Sequence, residues 1–149
     1  MVAGLDWKYS NNIQEANSLV KLLYEGSQYK DHDIELSIDW KRYIEMEDAG
    51  TIVVFVVREQ GTFVGYMTVM ADSMLQSKNN KMAYMESLVI HPDHRKGYLF
   101  STFLKFIQLE LKEYGIDYFM VHTPAHNDFG AILRRNKFKE FQTDYMIKL

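Results

Sequence analysis

The stretch Tyr84-Met-Glu-Ser-Leu-Val-Ile-His-Pro-Asp-His-Arg-Lys-Gly-Tyr-Leu-Phe100 decides how this chain folds. An apolar strand runs to Ile90 and is stopped by Pro92. A basic turn with one glycine, Gly97, follows, and a helix then begins. A strand that hands over to a helix through such a turn aims free backbone N–H groups and the positive end of the helix dipole at one spot. That spot suits a phosphate.

Working outward, the run from Leu99 to Tyr114 is the most strongly periodic helix in the chain. Phe100, Phe103, Leu104, Ile107, Leu111 and Tyr114 recur at steps of three and four. Gly115 ends it. Ile116 to His122 reads as the next strand, so Met82 to His122 forms a strand–helix–strand unit, expected to be a right-handed parallel crossover. Upstream, Thr51-Ile-Val-Val-Phe-Val-Val57 is β-branched and nearly continuous, the pattern of a strand covered on both faces. Arg58 to Gly61 is a hairpin turn, Thr62 to Ala71 the return strand, and Asp72 to Asn80 a polar loop.

Near the N-terminus, Asn12 and Glu15 are spaced as a capping box for a first helix that Gly26 stops. Ser27 to Glu35 reads as a loop. Ser37 is placed to cap a second short helix, with Trp40, Tyr43 and Ile44 inward. Downstream, Asn127 to Asn136 reads as a short helix and Phe138 to Leu149 as a final strand. The predicted architecture is a single α/β domain over residues 1–149. Its mixed central sheet has six to seven strands, with helices on both faces.

The bulk numbers narrow the function. The chain has 149 residues, no cysteine and a net charge of -3. Disulfides, thiolate catalysis and cysteine-based zinc sites are excluded. The charge argues against general nucleic-acid binding. The N-terminus lacks the pattern of a secretory signal, and no apolar run approaches the roughly 20 residues that span a bilayer. A cytoplasmic protein without membrane attachment is expected.

On these residues the chain resembles the GNAT family, N-acetyltransferases that use acetyl-CoA. The resemblance covers nearly the whole length, in element order and spacing. Its most specific part is Met85 to Arg95, which is similar to the family's fourth strand and the start of its phosphate-binding motif. Ile90, Pro92 and Arg95 fit that motif without a gap, and Ser101 to Leu104 fit the following helix. The motif's two small-residue slots hold Tyr98 and Phe100, and Gly97 sits one place early. Asn127, Gly130, Ala131, Ile132 and Phe138 resemble the family's second landmark. A tyrosine that often serves there as general acid is replaced by Leu133 or Arg134. Such drift also occurs among small phage-type acetyltransferases.

The resemblance implies a site. Arg95, Lys96, Gly97, Tyr98, Leu99 and Phe100 would cradle the pyrophosphate of acetyl-CoA. Leu88, Val89 and Ile90 would offer backbone groups to the pantetheine arm, and Asn127 would join the cofactor site. Glu86 interrupts an apolar strand, where a carboxylate is costly unless solvated or paired, and is the candidate general base. Tyr84, Tyr98, Ser101 and His122 are stand-ins for the missing acid. Asp31, His32, Asp33 and Glu35 would draw a cationic amine to the acceptor pocket or form a solvated loop. Arg134, Arg135, Lys137 and Lys139 would receive the 3′-phosphate or form a solvated face. His91 and His94 have no metal-site spacing, and no metal is expected. The implied activity is acetyl transfer to a primary amine by direct attack. The alternative is a non-catalytic binding protein on the same scaffold. The final strand would offer an edge for a homodimer.

Overall fold

The computed structural model describes residues 1–125 and 128–149, with Val2 and Gln28 described by backbone alone. In chain order the elements are β1 (Val2–Gly4), α1 (Tyr9–Tyr24), α2 (Gln28–Asp31), α3 (Trp40–Asp48), β2 (Ile52–Glu59), β3 (Thr62–Met74) and β4 (Ser77–Ile90). A 3-10 turn at Pro92–His94 then leads to α4 (Leu99–Glu113), β5 (Tyr118–Met120) and α5 (Gly130–Arg135). Among the described residues the sheet has five strands in the order β1-β2-β3-β4-β5. All neighbours are antiparallel except β4 and β5, which are parallel.

The mixed α/β sheet with helices on both faces is as the sequence predicts, with five strands rather than six to seven. The difference lies at the end of the chain. Residues 139–149 pair with no strand, and Phe141, Tyr145 and Ile147 are exposed. Alternating aromatic and β-branched residues give strand propensity, but a strand exists only where a partner edge pairs with it.

Side chains of the three long strands alternate between two cores. Phe55, Val57, Met67, Val69 and Met85 lie under α4, whose Phe103, Leu104 and Ile107 are completely buried. Burial of each such side chain contributes about 1.5–3 kcal/mol. Val54, Val56, Tyr66 and Val89 face the other way, against Ala16 and Leu19 of α1 and Trp40 and Tyr43 of α3. Gln60 and Gly61 link β2 to β3 with φ of 51° and 81°. Two positive φ values are what a two-residue hairpin turn with the correct twist requires.

Several boundaries differ from the sequence reading. The expected loop at Asp72 to Asn80 is mostly strand: β3 and β4 extend to a tight connection between Met74 and Ser77. Helix α3 is capped by Asp39 instead of Ser37; its carboxylate accepts the Arg42 N–H at 3.0 Å. Helix α1 starts at Tyr9, and Asn12 is a non-helical kink within it (φ -139°). Glu15 accepts the Trp7 indole N–H at 2.9 Å, a tie between α1 and the segment before it instead of a capping box.

Two departures from regularity shape the site. Thr68 pairs with Ser87 and Val69 with Met85, so Glu86 is an extra residue in β4, a β-bulge. The bulge lets Glu86 and Ser87 both face the α1/α3 layer, where regular alternation would send one of them under α4. The second departure is a split between β4 and β5. They pair only at Met82–Tyr118, Ala83–Phe119 and Tyr84–Met120. Beyond Tyr84, β4 continues to Ile90 with no strand on that edge, and a cleft opens.

Candidate active site

A cavity of about 730 Å³ occupies the split and runs under α1 and α3. One lobe is lined by Leu88, Val89, Ile90, Arg95, Phe100 and His122. The other lies against α1, the α2 region and α3. Glu86 and Ser87 stand between the two lobes, where the bulge puts them.

In the first lobe, the Arg95 Nε donates to the Ile90 carbonyl at 2.9 Å, which folds the basic turn back onto the end of β4. Partial burial pulls the Arg95 pKa below its ordinary value. No side chain caps α4, and its first bond is Thr102 N–H to the Tyr98 carbonyl at 2.9 Å. The N–H groups before Thr102 therefore point out of the helix end with the positive dipole behind them. Gly97 adopts φ of 68°, a left-handed conformation that lets the turn close. Tyr98 directs its side chain to solvent at 84% exposure. Phe100 packs edge-on against Phe129, ring centres 5.3 Å apart. Neither bulky residue fills the space in front of the helix end by necessity. Leu99 faces the core and would contribute through its backbone alone. Lys96 is exposed in the turn and, like Gly97, Tyr98 and Leu99, does not line the cavity. Asn127 lies outside the described residues.

Between the lobes, Tyr43 Oη donates to Glu86 Oε1 at 2.7 Å. Glu86 Oε2 is buried and has no hydrogen-bond partner among the described residues. A buried carboxylate oxygen without a partner, on a residue that lines a cavity, has the capacity to accept a hydrogen bond from a ligand. Tyr43 belongs to an aromatic block. Its ring lies 5.0 Å from Tyr9 and 5.7 Å from Trp40, and Tyr9 lies 5.8 Å from Tyr66. Burial, with the negative Glu86 adding to it, pushes the Tyr43 hydroxyl pKa well above the tyrosine range. Burial also raises Tyr9 and Tyr66, and Tyr9 shares a 2.5 Å hydrogen bond with Thr68. All three remain neutral hydroxyls at physiological pH, so Tyr43 stays a donor to the carboxylate.

The sequence-predicted residues divide. Glu86, Leu88, Val89, Ile90, Arg95 and Phe100 come together on the cavity. Of the stand-in acids, only His122 lines it. Tyr84 and Tyr98 do not, and Ser101 accepts from the buried Asn136 side chain at 2.7 Å, a structural bond between α4 and α5. Of the acidic group, Glu35 lines the cavity, whereas Asp31, His32 and Asp33 are exposed outside it. Arg134, Arg135, Lys137 and Lys139 are exposed at and beyond the end of α5. His94 Nδ1 is 2.5 Å from Glu59 Oε2, and His91 Nδ1 accepts the Asp93 N–H at 3.3 Å. Sequence reasoning placed Tyr43 in a core and passed over Tyr9 and Tyr66 as parts of the site. The adjacent polar pair Glu86-Ser87 inside an apolar strand was the available signal for the bulge.

A sequence profile described as the acetyltransferase (GNAT) family matches residues 16–132. No curated protein matches the chain significantly. Among solved structures, a mutant Bacillus halodurans protein superposes with a TM-score of 0.79 at 16% identity, covering 100% of this chain and 99% of that one. A ribosomal-protein-alanine N-acetyltransferase from Brucella melitensis gives 0.72 at 12% identity, covering 100% of both chains. An aminoglycoside acetyltransferase from an uncultured soil metagenomic sample, in complex with sisomicin, gives 0.69 at 16% identity, covering 96% of this chain and 93% of that one. At such identities the superpositions establish the fold. The split sheet and the uncapped helix after it therefore sit in a known architecture, and the profile match across most of the chain makes this protein a member of the GNAT acetyltransferase family.

Proposed function

We propose that the protein transfers an acetyl group from acetyl-CoA to a primary amine by direct attack, with Glu86 as the general base. The observation that carries this reading is the state of the Glu86 carboxylate. Tyr43 fixes one oxygen, and the other is buried and unpaired among the described residues, on a side chain that lines the cavity. An ammonium that enters from the α1/α3 side donates to Oε2 and loses a proton to it, directly or through one water. The neutral amine is then a nucleophile.

The first lobe fits acetyl-CoA. Arg95 and the N–H groups at the start of α4 hold the pyrophosphate. The backbone of Leu88 to Ile90, free of β5, lies along the pantetheine arm. When bound, acetyl-CoA supplies an activated thioester carbonyl and a thiol leaving group. The N–H near Val89 donates to the carbonyl oxygen as negative charge develops there. His122, at the cavity wall, or water returns a proton to the departing sulfur. No covalent enzyme intermediate is required.

Thermal shift with acetyl-CoA tests the reading. Ligand at 100 times its Kd stabilises the native state by about 2.7 kcal/mol. Arg95→Glu should abolish the shift, and Glu86→Gln should keep it while losing turnover at neutral pH. Absence of any shift at millimolar acetyl-CoA rejects the enzyme. Tyr98 and Phe100 in the small-residue slots favour a second reading, a binding protein without turnover. Stabilisation by acetyl-CoA with no acetylation of any amine would select it.

A further inference from the structure

The second lobe carries information about the acceptor, on the assumption that Glu86 and the first lobe act as proposed above. Its wall is aromatic: Tyr24, Tyr29, Trp40, Tyr43 and Tyr66 all line it. At its mouth, Leu22, Tyr29 and Ile34 are exposed at 53%, 51% and 39%. Three large apolar side chains from α1, α2 and the following loop thus rim one opening, at a cost in exposed apolar area that a ligand would relieve.

The charges of the lobe are sparse. Glu86 lies at its inner end and Glu35 on its wall. The third carboxylate, Asp39, already accepts the Arg42 N–H as the cap of α3. Among the described residues no lysine or arginine lines this side; Arg95 belongs to the other lobe. Asp31 and Asp33, which would have made the pocket strongly acidic, are exposed outside the cavity. A polycation entering here would meet Glu35 and Asp39 on the wall and Glu86 at the inner end, with its remaining ammonium groups against apolar side chains, and unpaired buried charge is costly. A single ammonium on an apolar body meets no such penalty. Its apolar body is matched by the aromatic side chains that line the lobe, and its one cation pairs with Glu86.

We infer that the acceptor is a monoamine carried on an aromatic or bulky apolar body, an arylalkylamine in the simplest case, and not a polyamine or a polycationic sugar. The apolar body would lie between α1, α2 and α3, with the amine at Glu86.

Acetyl transfer from acetyl-CoA is followed by thiol release, which has no background from a chain without cysteine. The acceptors are 2-phenylethylamine, ethylamine, spermidine and an aminoglycoside. Phenylethylamine should show kcat/KM about 10- to 100-fold above ethylamine, the gain that burial of the phenyl group supplies. Tyr29→Ser and Ile34→Ser, at exposed positions, should raise KM for phenylethylamine several-fold and leave KM for acetyl-CoA unchanged. Ethylamine or spermidine matching phenylethylamine in kcat/KM would overturn the inference. Binding of the amines without acetyl-CoA is measured separately by NMR. Shifts at the Trp40 and Tyr24 side chains with phenylethylamine, and not with spermidine, support the acceptor class even where no transfer is seen, in which case only the catalytic reading falls. The reverse preference rejects the acceptor class.

Discussion

Gly65→Ala is a one-methyl test of the wall on which the first lobe rests. Gly65 pairs with Ile90 at the end of the β3–β4 ladder. A Cβ at Gly65 would sit 2.5 Å from the Val89 carbonyl oxygen and 3.1 Å from both Cα and Cγ1 of Ile90. Two of those three atoms are backbone and cannot rotate away, so the end of β4 must move by about 0.9 Å or the methyl must be accommodated by strain. Overpacking of this kind costs about 1–3 kcal/mol. For a domain of this size each kcal/mol lowers Tm by about 2–4 °C, so a loss of about 2–12 °C is expected. The displaced residues are Val89 and Ile90, which the proposed function places along the pantetheine arm. The stabilisation given by acetyl-CoA should therefore shrink as well, beyond what the lower Tm alone explains. Calorimetry with and without acetyl-CoA measures both effects. Gly26→Ala is the control, because a Cβ there meets nothing within 4 Å; it should alter stability by no more than about 0.5 kcal/mol. A Gly65→Ala protein that melts within about 1 °C of the parent and gains as much from acetyl-CoA would refute the claim that β3 fixes the cleft wall.

Tyr43→Phe removes the donor to Glu86 Oε1 and little else. A hydrogen bond to a charged group is worth about 1.5–3 kcal/mol, so kcat at neutral pH should fall by about tenfold or more while acetyl-CoA binding is retained; unchanged kcat with phenylethylamine would remove Tyr43 from the site. Alkaline conditions should destabilise the protein steeply. Tyr9, Tyr43 and Tyr66 have native pKa values raised above the ordinary 10.0, so the native state keeps protons that the unfolded state releases. Their contribution is complete below about pH 10 and is lost as pH rises above it, by up to about 1.4 kcal/mol per pH unit for each hydroxyl. Urea unfolding at pH 9, 10 and 11 reads the slope; a flat profile would show that these hydroxyls are not buried as described.

Much of the fold was legible because its signals are local. The apolar runs of β2, β3 and β4 and the period of α4 are each written in consecutive residues. The motif at Ile90, Pro92 and Arg95 located the first lobe for the same reason. What escaped was set by pairing between distant segments. The Asp72 to Asn80 stretch is polar and exposed, so no apolar alternation marked it; backbone bonds between β3 and β4 make it strand. Val2–Gly4 is three residues long and is strand only because Val56 to Arg58 offers an edge. The tyrosine wall comes from α1, α3 and β3, and each tyrosine alone looks like core. The bulge left one trace, the adjacent polar pair Glu86-Ser87, and nothing in the flanking apolar residues marks a slip of one position.

That bulge separates the fold from its chemistry by a single codon. With Glu86 left out, Met85 opposite Val69 and Ser87 opposite Thr68 become consecutive pairs, and the ladder runs regularly from Gly65–Ile90 to Ser73–Lys81 with every side chain in β4 on its present face. The sheet has no use for the residue on which the proposed reaction depends. A deletion of one residue in the middle of a central strand usually scrambles it, but here it would restore regularity and leave a folded, acetyl-CoA-competent and inactive protein. Glu86 is in this sense an extra residue that the ladder accommodates, and its removal would change the proposed chemistry before it changed the shape.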